Sequence, residues 1–122
     1  MPQVRILLVE DEFLIRLMLA EALADANFLV TEAAGGEEGI RALDQASGFD
    51  ALVTDVQMPG SANGIDVARH ARERFPSMPI IFATARPDSI RGFKERRECD
   101  CVIQKPYGPE QMLAALRRAL DC

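Results

Sequence analysis

Five polar side chains stand at the ends of short apolar runs, and their types suit metal and phosphate chemistry. They are Glu10, Asp11, Asp55, Thr84 and Lys105. In an open parallel sheet, ligands bind beyond the carboxyl ends of the strands. If the runs before these residues are neighbouring strands, three carboxylates, a hydroxyl and an ammonium share one crevice.

Three carboxylates in one crevice need a compensating charge. Two unit charges about 4 Å apart repel by roughly 4 kcal/mol at an effective dielectric constant near 20. Mg²⁺ removes this repulsion, because it binds one or two carboxylates and keeps water or phosphate oxygens as its other ligands. Lys105 and Thr84 then offer a phosphoryl group a positive charge and a hydroxyl donor. Taken singly, Asp55 also suits a turn and Lys105 an exposed surface, but the five together favour a site.

The apolar runs predict five β-strands. Each run has four or five residues, is rich in Val, Ile, Leu or Phe, and is nearly continuous, which is typical of a strand covered on both faces. The predicted strands are residues 5–9, 28–31, 51–54, 80–83 and 101–104.

Helical patterns fill the intervals between the predicted strands. The predicted helices are residues 13–26, 36–46, 64–75 and 88–98, and a last helix that begins near Pro109 and carries Leu113, Leu116 and Leu120. This alternation predicts an α/β fold with one doubly wound, five-stranded parallel sheet, five helices on its two faces and right-handed crossovers.

The length and the charge of the chain argue against several classes of function. The 122 residues suit one domain, residues 1–122, and leave no room for a second catalytic or DNA-binding domain. A net charge of −5 argues against nucleic-acid binding, and no apolar run reaches the ~18 residues of a membrane span. Residues 1–61 carry 3 basic and 11 acidic side chains, whereas residues 62–122 carry 11 and 8, so the acidic excess lies with the candidate metal ligands.

The cysteines favour a reduced, cytoplasmic setting. There are three, Cys99, Cys101 and Cys122, an odd number without the spacing of secreted proteins. Cys99 and Cys101 could begin a zinc site, but no second pair follows and the lone His70 is distant in sequence. We expect the cysteines to be small apolar residues packed around a strand.

Four stretches of the sequence resemble the receiver domain of two-component response regulators, of the CheY-like, stand-alone type. They are LLVEDE at 7–12, LVTDVQMPG at 52–60, IIFATA at 80–85 and QKPY at 104–107. The resemblance runs over residues 5–120, with the motifs in the family's order. It implies a flavodoxin-like sheet with the strand order 2-1-3-4-5.

The resemblance also implies roles for the polar residues. Asp55 would accept a phosphoryl group from a phosphohistidine on a sensor histidine kinase or a histidine phosphotransfer protein. Glu10, Asp11, Asp55 and the backbone carbonyl of Gln57 would hold Mg²⁺, with Mn²⁺ as an alternative.

The remaining roles implied by the resemblance concern switching. Thr84 and Lys105 would contact the phosphoryl group, and a cis bond before Pro106 would aim Lys105 into the site. Gln57 and Arg86 would set the lifetime of the acyl phosphate. The protein would then be a cytoplasmic phosphoacceptor rather than an enzyme, and would signal to a downstream protein target by conformational change or phosphorelay.

The sequence departs from the family pattern at three places. Family members usually carry an aromatic residue where this chain has Val102, and that residue rotates inward to relay phosphorylation to the surface. Here either Tyr107 takes over the relay or Tyr107 is a core aromatic. The loop at 58–64 is one residue longer than usual, which predicts a local change without loss of chemistry. The Phe-Ala-Thr motif at 82–84 resembles that of a subset of stand-alone alphaproteobacterial receivers with atypical switching.

The first predicted helix is apolar nearly all round. A buried stripe at helical spacing would contain Ile15, Met18, Leu19, Ala22 and Leu23 and leave Phe13, Leu14, Leu17 and Ala20 outside it. We therefore expect an exposed patch beside Asp55 that docks the partner's histidine-bearing helices, with Phe13, Leu14, Leu17, Pro106 and Tyr107 as its residues. The alternative is ordinary packing under a neighbouring loop.

Two other functions fit parts of the pattern. A degenerate receiver would bind proteins without phosphorylation, but the full set of five polar residues argues against it. A phosphatase of the haloacid-dehalogenase type would carry a second Asp where this chain has Gln57. The basic cluster at 86–97 is interleaved with acidic residues, which favours a solvated helix face over a nucleic-acid site.

Overall fold

The computed structural model describes residues 3–122, which form one parallel sheet with helices on both faces. The strands are β1 (Arg5–Val9), β2 (Leu29–Ala33), β3 (Ala51–Asp55), β4 (Ile80–Thr84) and β5 (Cys101–Gln104). The helices are α1 (Phe13–Asp25), α2 (Gly36–Gln45), α3 (Gly64–Arg74) and α4 (Pro109–Leu120). The strand order is β2-β1-β3-β4-β5, all parallel, which confirms the predicted sheet.

The sheet separates two apolar cores. On one face, Leu7, Leu52 and Phe82 pack with α2 and α3, and Phe82 meets Phe93 edge to face at 5.4 Å between ring centroids. On the other face, Leu8 and Val53 pack with α1 and α4. Alternate residues of each central strand therefore feed opposite cores, which explains why these strands are apolar throughout rather than at every second residue.

The predicted fourth helix, residues 88–98, is wrong, so the sheet carries four α-helices among the described residues rather than five. A single 3₁₀ turn, Pro87–Ile90, begins this segment, and irregular turns follow it. Only Ile90 and Phe93 are buried there, three residues apart, and no further apolar residue extends a helical stripe. The basic side chains of the segment are exposed, but on irregular backbone rather than on a helix face.

The buried stripe predicted for α1 is wrong at two positions. Ala20 is buried although we expected it outside the stripe, whereas Met18 is 42% exposed. Leu19 and Leu23 are fully buried, as predicted. The buried side of α1 is thus turned toward Ala20 and away from Met18.

The expectation of three unpaired cysteines is also wrong. Cys99 and Cys122 form a disulfide with their Cα atoms 5.8 Å apart, and Cys101 is free. The chain reverses direction between β5 and α4, so the end of α4 returns to the start of β5 and brings the two residues together. Among residues 3–122, no helix is long and apolar enough to cross a membrane.

Candidate functional site

The carboxyl ends of β1, β3, β4 and β5 bring the five predicted polar residues to one edge of the sheet. Glu10, Asp55 and Thr84 are buried there, and Asp11 is exposed. One carboxylate oxygen from each of Glu10, Asp11 and Asp55 lies within 4.8 Å of the other two. Three hard oxygen donors at this spacing fit Mg²⁺ or Mn²⁺, which prefer carboxylate, carbonyl and water ligands.

Lys105 supplies the one ammonium group in this cluster. Its Nζ lies 3.1 Å from Asp55 Oδ2 and 3.4 Å from Glu10 Oε1. The Lys105–Pro106 peptide bond is cis, as the resemblance to receiver domains implies, and Lys105 N donates to the Thr84 carbonyl at 2.9 Å. The β4–β5 ladder therefore continues to the residue whose charge enters the site.

The carboxylates outnumber the ammonium, and burial is the largest influence on the pKa of Glu10, Asp55 and Lys105. Burial, with a further contribution from the charge of Asp55, raises the pKa of Glu10 to about 7. Burial also raises the pKa of Asp55, although its contacts with Lys105 oppose the shift. Burial lowers the pKa of Lys105, but the two carboxylates outweigh that effect and raise it above its ordinary value. When the three carboxylates and the one ammonium are all ionised, the negative charge left over equals the charge of one divalent cation.

Glu10 is held in place by the start of α1. Its Oε2 accepts from Glu12 N at 3.1 Å, and its carbonyl accepts from Arg16 Nη1 at 2.9 Å. Arg16 also pairs with Glu32 on β2, with Nε and Oε1 3.3 Å apart. The sequence pattern did not single out Arg16, which orients the first acidic residue from outside the cluster.

The loop after Asp55 is fixed at both of its ends. Gly60 has a positive φ of 103°, which suits glycine, and Ala62 N donates to Glu37 Oε1 at 3.0 Å. A Cβ on Gly64 would lie 1.9 Å from the Asp55 carbonyl oxygen, so α3 can begin this close to β3 only with glycine there. The longer loop thus runs against the end of β3 rather than away from it.

The Thr84 hydroxyl contacts the residue two places after Asp55. Thr84 Oγ1 donates to Gln57 Oε1 at 2.8 Å and accepts from Arg86 N at 3.0 Å. Ser89 Oγ lies 3.4 Å from the same hydroxyl and was not predicted from the sequence. The side chains of Gln57 and Arg86 are exposed, which places both predicted tuning residues at the mouth of the site.

The expected patch on α1 is exposed. Leu14 is 71% exposed, Phe13 61% and Leu17 39%. Beside it lies a cavity of about 340 Å³, whose lining is almost wholly apolar. Its lining residues are Ile15, Met18, Ala85, Lys105, Pro106 and Tyr107. Of the five predicted docking residues, Pro106 and Tyr107 line this cavity, whereas Phe13, Leu14 and Leu17 are exposed on α1, whose Ile15 and Met18 line it.

Comparison with known proteins agrees with this arrangement. A model of the response regulator receiver domain matches residues 6–117. The chain belongs to the response regulator receiver domain family. Receiver domains are the signalling switches of two-component systems, where they interact with histidine kinases and with downstream targets.

Curated relatives of this receiver domain include longer regulators. The chain is 36% identical over 124 residues to the transcriptional regulatory protein ResD of Bacillus subtilis, covering 96% of this chain and 50% of ResD. It is 34% identical over 117 residues to the transcriptional regulatory protein TcrA of Mycobacterium tuberculosis, covering 93% of this chain and 45% of TcrA. The chain thus spans about half the length of these relatives.

Solved structures share the fold over nearly the whole chain. A response regulator receiver protein from Sinorhizobium medicae has a TM-score of 0.90 at 30% identity, covering 98% of this chain and 96% of that one. The chemotaxis protein CheY4 of Vibrio cholerae has a TM-score of 0.85 at 28% identity, covering 97% and 99%. These likenesses confirm the CheY-like, flavodoxin-type fold.

Val102, which stands where the family usually has an aromatic residue, and Tyr107 lie on opposite faces of the sheet. Val102 packs against the α2–α3 core, whereas Tyr107 packs against the α1–α4 core on the other face of the sheet. Within residues 3–122, the buried Tyr107 hydroxyl has no hydrogen-bond partner, and burial, followed by the charges of Glu10 and Asp55, raises the pKa of Tyr107 above its ordinary value. Tyr107 therefore occupies a different place from the residue that the family's aromatic relay would use.

Proposed function

We propose that this receiver accepts a phosphoryl group on Asp55 from a phosphohistidine of a sensor histidine kinase or a histidine phosphotransfer protein. The observation that supports this most directly is the 3.1 Å contact between Lys105 Nζ and Asp55 Oδ2, beside two further carboxylates. In the transfer, an Asp55 oxygen attacks phosphorus while the bond from phosphorus to the histidine nitrogen breaks. Lys105 neutralises charge on the phosphoryl oxygens, and Thr84 donates a hydrogen bond to one of them.

Glu10, Asp11, Asp55 and the Gln57 backbone carbonyl would hold Mg²⁺ or Mn²⁺. The ion would supply positive charge that stabilises the phosphoryl oxygens during transfer. The protein residues do the positioning: the Glu12 amide and Arg16 fix Glu10, and the close contact at Gly64 fixes the loop that carries Gln57.

The acidic cluster and the exposed patch together define the proposed partners. We place the protein in the cytoplasm, as a phosphoacceptor switch rather than an enzyme that turns over a substrate. This placement rests on the receiver family, because the Cys99–Cys122 disulfide removes the argument from unpaired cysteines. Its output is a protein contact or onward phosphotransfer to a downstream protein target, with no nucleic acid or membrane as its own ligand.

Intact mass after incubation with acetyl phosphate and Mg²⁺ tests the phosphoacceptor role. We expect a phosphate-sized gain in the native protein, no gain in Asp55→Asn, and no gain when EDTA replaces Mg²⁺. Bound Mg²⁺ without any mass gain would contradict the proposal and favour a degenerate receiver. Steady hydrolysis of many phosphate esters would instead favour a phosphatase.

The exposed patch supports a docking role for Phe13, Leu14, Leu17, Pro106 and Tyr107. Pro106 and Tyr107 line the apolar cavity together with Lys105, and Ile15 and Met18 of the same helix as the exposed Phe13, Leu14 and Leu17 complete its lining. Because Lys105 contacts Asp55, a histidine-bearing helix seated there would bring its imidazole toward Asp55. Large exposed apolar patches mark interaction surfaces.

Leu17→Glu tests the docking surface. We expect it to slow phosphotransfer from the cognate kinase at least tenfold, because a carboxylate would be buried in an apolar contact. Phosphorylation by acetyl phosphate should not change. Leu29→Glu is the matched control, since Leu29 is 49% exposed on the edge strand β2, away from the site. Equal kinase rates in both variants would contradict the docking role.

A further inference from the structure

The Thr84 hydroxyl already has a hydrogen-bond acceptor before any phosphoryl group arrives. Thr84 is fully buried, and a hydroxyl donates only one proton. The nearest acceptor is Gln57 Oε1 at 2.8 Å, while the Arg86 carbonyl at 3.3 Å and Ser89 Oγ at 3.4 Å are farther away. The proton therefore points to Gln57.

Gln57 is well placed to hold this hydroxyl and to release it. It follows β3 by two residues, so its amide crosses from the loop after Asp55 to the end of β4. Its side chain is exposed, and water can satisfy its amide oxygen when Thr84 turns away. Breaking this bond therefore leaves no buried polar atom unpaired on the Gln57 side.

We propose that the Gln57 amide is a positioning residue that holds the Thr84 hydroxyl in its unphosphorylated arrangement. A phosphoryl group on Asp55 then has to compete with Gln57 for the same proton. The inference rests on the proposed phosphorylation of Asp55 and adds to it the residue that opposes switching.

The size of the effect follows from the hydrogen bonds that remain. A single hydrogen bond changes an equilibrium by about two- to tenfold in net terms. Without the Gln57 amide, the Thr84 hydroxyl still has the Arg86 carbonyl and Ser89 Oγ within reach, so the fold is retained. Gln57→Met keeps the length of the side chain and the backbone carbonyl but removes the acceptor.

Binding of trifluoroberyllate, a stable mimic of the phosphoryl group, tests the proposal in the presence of Mg²⁺. Titration calorimetry would compare the native protein, Gln57→Met, Thr84→Ala and the double variant. We expect Gln57→Met to bind the mimic about two- to tenfold more tightly than the native protein. In the Thr84→Ala background, Gln57→Met should change the affinity by less than about 1.5-fold, because the hydroxyl is absent.

Gln45→Met is the matched control, since Gln45 is an exposed glutamine at the end of α2, and it should bind as the native protein does. Unchanged or weaker binding by Gln57→Met would overturn the proposal. Equal gains with and without the Thr84 hydroxyl would also overturn it, because the effect would not pass through Thr84. If the native protein failed to bind the mimic although Mg²⁺ binds, the phosphoacceptor role itself would fall, and this inference with it.

Discussion

A buried ion pair holds the irregular segment that replaces the expected fourth helix. Arg72 on α3 pairs with Asp100, and the side chains are 9% and 0% exposed. Asp100 also accepts from Ile80 N at 2.9 Å and Arg97 N at 2.8 Å. The other three bonds of the guanidinium go to carbonyl oxygens of Pro76, Met78 and Glu95. Arg72→Met would leave a buried carboxylate without its cation.

The contacts of Asp100 determine how far Arg72→Met lowers the free energy of unfolding. Removing one partner of a buried ion pair costs about 3–5 kcal/mol, because the remaining charge is uncompensated. The two backbone amides on Asp100 keep part of the carboxylate stabilised, which favours the lower half of that range. In a domain of this size the loss lowers the melting temperature by roughly 10–20 °C.

Urea unfolding of Arg72→Met and Arg69→Met measures the difference. Arg69 is the matched control, because it lies on the same helix and also bonds to this segment, at 3.3 Å from Glu95, but is 47% exposed. We expect it to lose at most about 1 kcal/mol. Asp100→Asn added to Arg72→Met should recover part of the stability by removing the unpaired charge. Equal, small losses in both single variants would refute the account of a buried pair.

Three other perturbations have defined outcomes. In metal-free protein, burial raises the pKa of Glu10 from 4.5 to about 7, so the folded state retains a proton that the unfolded chain releases. The free energy of unfolding should therefore fall as the pH rises from about 4.5 through 7, and Glu10→Gln should flatten the dependence in EDTA-buffered urea titrations. Gly64→Ala places a Cβ 1.9 Å from the last carbonyl of β3 and should cost about 1–3 kcal/mol or more in the same titrations, whereas Gly92→Ala, with nothing within 4 Å, should be neutral. Reduction of Cys99–Cys122, 23 residues apart, should lower stability by about 3 kcal/mol; no difference between calorimetric melts with and without reductant would contradict the pairing.

The sheet and the acidic cluster are predictable from sequence because both follow from strand ends. The bounds of β1 and β5 match the prediction, and β3 and β4 each extend one residue farther, to Asp55 and Thr84. Continuous apolar runs mark strands covered on both faces, and parallel strands align their carboxyl ends. The polar residue that ends each run is therefore placed by topology alone, before any side-chain contact is known.

Elements that depend on tertiary contacts are not predictable in this way. The α1 pattern is apolar nearly all round, so it does not select Ala20 over Met18 as the buried residue. The segment after β4 has helix-forming residues, but its backbone is tied to α3 by Arg72. The bond between Gln57 and Thr84 joins two loops 27 residues apart, and no spacing rule covers it.

The division of the interior into two cores has a consequence for how signals pass through the molecule. The proposed docking patch lies on the α1–α4 side, and the 3₁₀ segment with Ile90 lies on the α2–α3 side. Alternate residues of the same strands line the two cores, so the sheet backbone is the layer that both faces share. At the carboxyl edge of that layer, the Lys105 amide donates to the Thr84 carbonyl, as a continuation of the β4–β5 pairing. Substitutions on the exposed side of α1 should therefore change which partner docks without repacking the α2–α3 core, because no α1 side chain belongs to that core.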